Sequence, residues 1–126
     1  MRIWLSTGEP SGDRWGAALA RALLQARPDI RLVGLAGALM QRNGVESIST
    51  PGETTAVAGF TQPLRAYRAH RRLLSACVDA ISAERPDVVV VIDYPGFHLR
   101  VLREIESLSI PTVYYMPPQV WAWGAG

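Results

Sequence analysis

Val88-Val89-Val90-Val91-Ile92-Asp93-Tyr94-Pro95-Gly96-Phe97-His98 is the stretch on which the fold turns. Five consecutive β-branched apolar residues suit a strand buried on both faces, as in a parallel sheet covered by helices on either side. Asp93 ends the run, Pro95 and Gly96 turn the chain, and Phe97, Leu99, Val101, Leu102 and Ile105 give an apolar face to a helix predicted over 95–108. A carboxylate at the carboxyl end of a central parallel strand stands where open α/β sheets bind their ligands. Asp93 has a second reading, as the N-cap of the helix that follows. Position alone leaves both open.

Outward from this strand, helical and extended patterns alternate. Residues 2–6 read as a first strand, Gly8-Glu9-Pro10-Ser11-Gly12-Asp13 as a polar turn, and 13–26 as an amphipathic helix that Pro28 ends. A second strand over 30–35 closes a β-α-β unit of the length a parallel crossover needs. Gly34 and Gly37 mark another loop, followed by a short helix over 38–42 and a short strand near 45–48. The rest of 44–61 reads as irregular, 64–84 as a long helix and 112–116 as a last strand. The expected architecture is one Rossmann-like, doubly wound α/β domain over residues 1–126 with a mostly parallel sheet. Its last strand and aromatic-rich tail are followed by no covering helix, so the sequence reads as cut off rather than finished.

Composition narrows the function. The chain has 126 residues, 48% hydrophobic and 19% charged, which is globular rather than disordered. A formal charge of +2 gives no reason to expect nucleic acid as a partner. A single cysteine, Cys77, excludes an internal disulfide and any multi-cysteine metal site, and fits a reducing cytoplasm. No metal-ligand cluster stands out and no cofactor is expected. The few apolar residues before Ser6 are too short for a signal peptide, and no apolar run is long enough to span a bilayer.

The first loop carries the next chemical signal. Gly8, Gly12 and Gly16 are spaced G-x3-G-x3-G, which is neither the dinucleotide fingerprint nor a P-loop. Glycines here would let backbone N–H groups at a helix start approach a ligand oxygen, with Gly8, Ser11 and Gly12 as candidate contacts. Glu9 would repel phosphate and suits a sugar hydroxyl better. Ser11 or Asp13 reads equally as a cap of the helix. His98, in the first turn of its helix, could reach the Asp93 crevice or serve as a hydrogen-bonded packing residue. Asp87, at the other end of the strand, reads as structural. His70 is a weaker candidate, and Cys77 reads as core. Arg65, Arg68, Arg71 and Arg72 form a basic cluster, either a solvated face or a contact for anionic lipid headgroups or a substrate phosphate.

These blocks together resemble the N-terminal part of the lipid-A-disaccharide synthase family. The resemblance is carried by Gly8 to Asp13, Gly34-Leu35-Ala36-Gly37 with Met40, and Ala56-Val57-Ala58-Gly59. It continues in Pro86-Asp87-Val88 through Ile92-Asp93-Tyr94-Pro95, and in Pro111-Thr112-Val113 through Val120-Trp121-Ala122-Trp123. It implies the N-terminal half of a GT-B type glycosyltransferase. The implied reaction transfers a diacylated glucosamine from its UDP derivative to diacylglucosamine 1-phosphate, inverting at the anomeric carbon and without a metal. It also implies Asp93 as general base, Glu9 as the functional carboxylate of the first loop, and work at the cytoplasmic face of the inner membrane. The sequence departs from the family pattern at Gly96, His98, Tyr114 and Gly124, where Asp, Asn, His and Arg are usual. The family's C-terminal donor-binding domain has no counterpart here, so the isolated chain is expected to be inactive. Two rivals are a truncated, non-catalytic glycolipid- or sugar-binding module and another Rossmann-type nucleotide-binding enzyme. The glycine spacing counts against the second.

Overall fold

A computed structural model describes residues 1–8, 10–48 and 63–115, with the backbone alone at 10 and 63–67. The elements run β1 (Arg2–Thr7), α1 (Pro10–Ala26), β2 (Arg31–Leu35), α2 (Ala38–Arg42) and β3 (Val45–Ser47). They continue as α3 (Pro63–Glu84), β4 (Val88–Ile92), α4 (Pro95–Glu104), a 3₁₀ turn (Glu106–Leu108) and β5 (Thr112–Tyr115). The five strands lie in the order β3-β2-β1-β4-β5 and every neighbouring pair is parallel. This is the doubly wound Rossmann-like sheet that the Val88 run predicts.

Strand order explains why β4 is apolar throughout. It pairs with β1 on one edge and β5 on the other, and its alternate residues enter two separate cores. Val90 and Ile92 join Ile3, Leu5, Leu32, Ala17 and Met40 on the face covered by α1 and α2. Val89 and Val91 join Trp4, Val33, Cys77, Ile81, Phe97 and Val101 on the face covered by α3 and α4. A strand with no solvent face has no place for a polar residue until it ends, and it ends at Asp93. Each large side chain so buried contributes about 1.5–3 kcal/mol relative to exposure.

The chain leaves β1 for β2 and β3 in one direction and returns to β4 and β5 on the other side. The switch point therefore lies between the carboxyl ends of β1 and β4, where Thr7 is in register with Ile92. The amino end of the sheet is stitched differently. The Arg2 backbone N–H donates to the Asp87 carboxylate at 2.8 Å, and Arg31 pairs with Glu46 and Glu84 at 3.0 and 3.4 Å. Asp87 is structural, as its position suggested. These pairs are exposed and each is worth little.

Three local expectations are corrected. Helix α1 begins at Pro10 rather than Asp13, and Asp13 does not cap it. The Asp13 carboxylate instead accepts from the backbone N–H groups of Leu39 and Met40 at 3.0 and 3.1 Å, capping the start of α2 from another element. Gly37 is needed there, because a Cβ would collide with that carboxylate. Asp93 is no N-cap either: Tyr94 occupies that position in a left-handed conformation and no side chain caps α4. The helix predicted over 95–108 stops at Glu104, and Ser109 takes φ 56° as the chain turns through a 3₁₀ segment into β5. Serines 107 and 109 favour turns over helix interiors, and Pro111 cannot extend a helix.

Cys77 lies fully buried in the second core, and burial pushes its thiol up to about 12. We therefore expect Cys77 to resist alkylation at neutral pH in the native chain and to react fully once denaturant unfolds it. Rapid stoichiometric labelling under native conditions would contradict the packing of α3 on the sheet.

Candidate functional site

The two loops at the switch point are built from residues that the sheet forces together. Ser6 and Thr7 end β1 as its only buried polar side chains, and Gly8 follows. Asp93 and Tyr94 follow β4. Both adopt the left-handed backbone conformation, with φ of 52° and 51°. Such a conformation costs an L-residue roughly 1–2 kcal/mol, less for Asp than for Tyr. Two in succession persist only where their surroundings over-determine them, and such segments cluster at functional sites.

The surroundings here are specific. The Asp93 N–H donates to the Tyr115 carbonyl at 3.0 Å, extending the β4–β5 ladder by one bond. The Asp93 carbonyl takes two donors: Nδ1 of His98 at 2.6 Å and the Tyr114 hydroxyl at 3.1 Å. A carbonyl can only accept, so Nδ1 of His98 carries the proton. Nε2 is then bare and accepts from the Ser6 hydroxyl at 3.0 Å. His98 has no exposed surface. Desolvation lowers its pKa, only partly opposed by its bond to Asp93, so it is a neutral imidazole at pH 7. Burial and the nearby Asp93 charge raise the pKa of Tyr114, which keeps its hydroxyl a donor.

Tyr94 is held through its ring. It stacks on Phe97 at 5.7 Å, and its hydroxyl lies 3.0 Å from Nε2 of His70. It covers Gly8 so closely that a Cβ on Gly8 would strike the ring. Gly12, in the first turn of α1, is buried, and a Cβ there would strike the Thr7 hydroxyl. These two glycines let α1 and Tyr94 close on the end of β1. Any ligand approach to the backbone comes through what that packing leaves open. Ser11 is exposed in the same turn.

Of the residues singled out from sequence, Asp93, Gly8, Gly12 and His98 meet at this switch point. His98 does so from below, as a buried support of the Asp93 backbone and not as part of the crevice wall. Glu9 lies outside the described residues, as do Ala56 to Gly59 and the Trp121 to Trp123 tail. Among the described residues no side chain hydrogen-bonds or ion-pairs with the Asp93 carboxylate, which is partly exposed. An unengaged carboxylate on a rigidly held backbone can accept a proton from a hydroxyl brought beside it. No group of three or more His, Cys, Asp or Glu residues among those described could hold a metal ion. Sequence reasoning gave no role to Ser6 or Tyr94 and noted Tyr114 only as a departure from the family pattern. The available signal was Ser6 and Thr7 themselves, polar residues that follow the buried Ile3, Trp4 and Leu5.

The lipid-A-disaccharide synthetase family model matches residues 3–125. A lipid-A-disaccharide synthase from Ruegeria pomeroyi is 40% identical over 127 residues, covering 100% of this chain and 31% of that protein. One from Granulibacter bethesdensis is 43% identical, covering 96% of this chain and 30% of that protein. One from Coxiella burnetii is 38% identical, covering 98% and 33%. The chain thus spans about a third of the length of the curated relatives it matches. Among solved structures, the glycosyltransferase SnogD from Streptomyces nogalater superposes with a TM-score of 0.56 at 17% identity, over 91% of this chain and 33% of that one. The C-terminal domain of a Pyrococcus furiosus hydrogenase superposes at 0.63 with 13% identity, over 90% of each chain. These likenesses establish the fold.

Proposed function

The chain belongs to the lipid-A-disaccharide synthetase family, and from that premise we propose that it forms the acceptor-side half of a GT-B type glycosyltransferase with Asp93 as general base. The observation that carries this reading is the Asp93 carboxylate, unengaged by any described side chain, at the switch point of the sheet on a backbone fixed by three hydrogen bonds. The acceptor is diacylglucosamine 1-phosphate and the donor UDP-diacylglucosamine. As the acceptor hydroxyl attacks the anomeric carbon, its proton passes to Asp93. The new glycosidic C–O bond forms as the bond to UDP breaks on the opposite face, so configuration inverts. Glu9, one residue beyond Gly8, orients the acceptor sugar, with Gly8, Ser11 and Gly12 beside it.

In this reading the donor site lies in the remaining two-thirds of the relatives' length. Residues 1–126 alone would bind acceptor without transferring to it, because holding both reactants in one geometry supplies much of the rate. Both substrates carry acyl chains, so the enzyme works at the cytoplasmic face of the inner membrane. No helix among the described residues is long and apolar enough to cross a membrane. Arg68, Arg71 and Arg72 are exposed on α3, which suits contact with anionic headgroups.

In a full-length enzyme carrying these residues, Asp93→Asn should lower kcat at least about a hundredfold with the fold intact. Glu9→Gln should impair activity through KM for the acceptor. Near-normal turnover by a folded Asp93→Asn variant would remove Asp93 from the role of base. On anionic vesicles, sedimentation of the protein should weaken as salt rises, each Arg at the surface contributing on the order of 1 kcal/mol. Binding that survives replacement of Arg65, Arg68, Arg71 and Arg72 by Gln would assign membrane contact to another surface.

A further inference from the structure

The Asp93 carbonyl accepts two hydrogen bonds, and its two donors come from different elements. His98 reaches it from the first turn of α4 and Tyr114 from β5, with their rings edge-on at 6.4 Å. Together they fill both lone pairs of the carbonyl. The N–H of the same residue is held by Tyr115, the neighbour of Tyr114 on β5. Every backbone polar group of Asp93 is therefore tied to an element other than its own strand. The Ser6 hydroxyl, donating to Nε2, fixes the His98 tautomer from β1. Helix α4 and β5 thus converge on the backbone of one residue, with β1 behind His98.

We propose that His98 and Tyr114 are positioning residues. Their paired hydrogen bonds to the Asp93 carbonyl hold the left-handed Asp93–Tyr94 turn, and through it present the carboxylate to the acceptor. Neither side chain touches substrate. Ser6 serves the same end at one remove, by keeping the proton of His98 on Nδ1. This proposal rests on the reading of Asp93 as base, but it makes its own claim about the backbone, which can be measured without catalysis.

Amide hydrogen exchange and NMR of the 126-residue chain provide the test. In the unsubstituted chain His98 should show a protonated Nδ1 and a bare Nε2, and Asp93 a positive φ. Tyr114→Phe removes a single oxygen. It should speed exchange of the Asp93 amide about tenfold while the amides of Leu5 and Val90 keep their rates. His98→Leu should do the same, and His98→Asn, which retains an N–H donor near the position of Nδ1, should restore most of the protection. If His98→Leu fails to fold, Tyr114→Phe decides alone. In a full-length enzyme, Tyr114→Phe should lower kcat several-fold with KM for the acceptor little changed, and should add nothing in an Asp93→Asn background. Unaltered Asp93 exchange in a folded Tyr114→Phe chain, or a proton found on Nε2 of His98, would overturn the proposal. A functional Asp93→Asn enzyme would instead overturn the base assignment and leave the backbone result standing.

Discussion

The hydrogen bonds on the Asp93 backbone are the constraint from which the candidate site follows. Left to itself, a chain emerging from β4 would not place Asp93 and then Tyr94 in the left-handed region, where side chain and backbone crowd each other. It does so because His98, Tyr114 and Tyr115 together offer that peptide one satisfied arrangement. The double left-handed turn sends the chain sharply from strand to helix. It leaves Pro95 to open α4 with no side-chain cap, and lays the Tyr94 ring over Gly8. The turn after β4 thus reaches the residue that follows β1.

The sheet was legible in the sequence because its physics is local. A strand buried on both faces must be apolar throughout, and only β4 shows five β-branched residues in a row. The place of Asp93 follows from where that run ends. The role of Asp13 was not legible, because its partners lie 26 and 27 residues away at the start of α2 and local spacing suggests only a cap on its own helix. His98 was half legible. Its two readings, crevice or packing, differ in side-chain direction, which depends on β1 and β5 rather than on its neighbours in sequence.

Two of the four departures expected from the resemblance fall on residues with a defined structural role. His98 and Tyr114, two of the positions at which the sequence reading expects a departure from the family, meet at one carbonyl oxygen. A change at one position bears directly on what the other must supply. Both residues therefore bear on the placement of Asp93. Gly96 differs: a Cβ there would meet open space, and nothing in the structure explains the glycine. The other end of the sheet carries ion pairs among Arg2, Arg31, Glu46 and Glu84, which tie β1 and β2 to the end of α3 and β2 to β3.

In the proposed reaction the sheet presents the Asp93 carboxylate, unengaged by any described side chain, to an acceptor hydroxyl. A crystal structure of a full-length enzyme carrying these residues, with diacylglucosamine 1-phosphate bound, would measure this most directly. The attacking hydroxyl of the sugar should lie within hydrogen-bond reach of the Asp93 carboxylate, about 2.6–3.2 Å, with residues 93 and 94 still left-handed. An acceptor bound elsewhere on the domain, or a hydroxyl held by another base with Asp93 turned away, would contradict it.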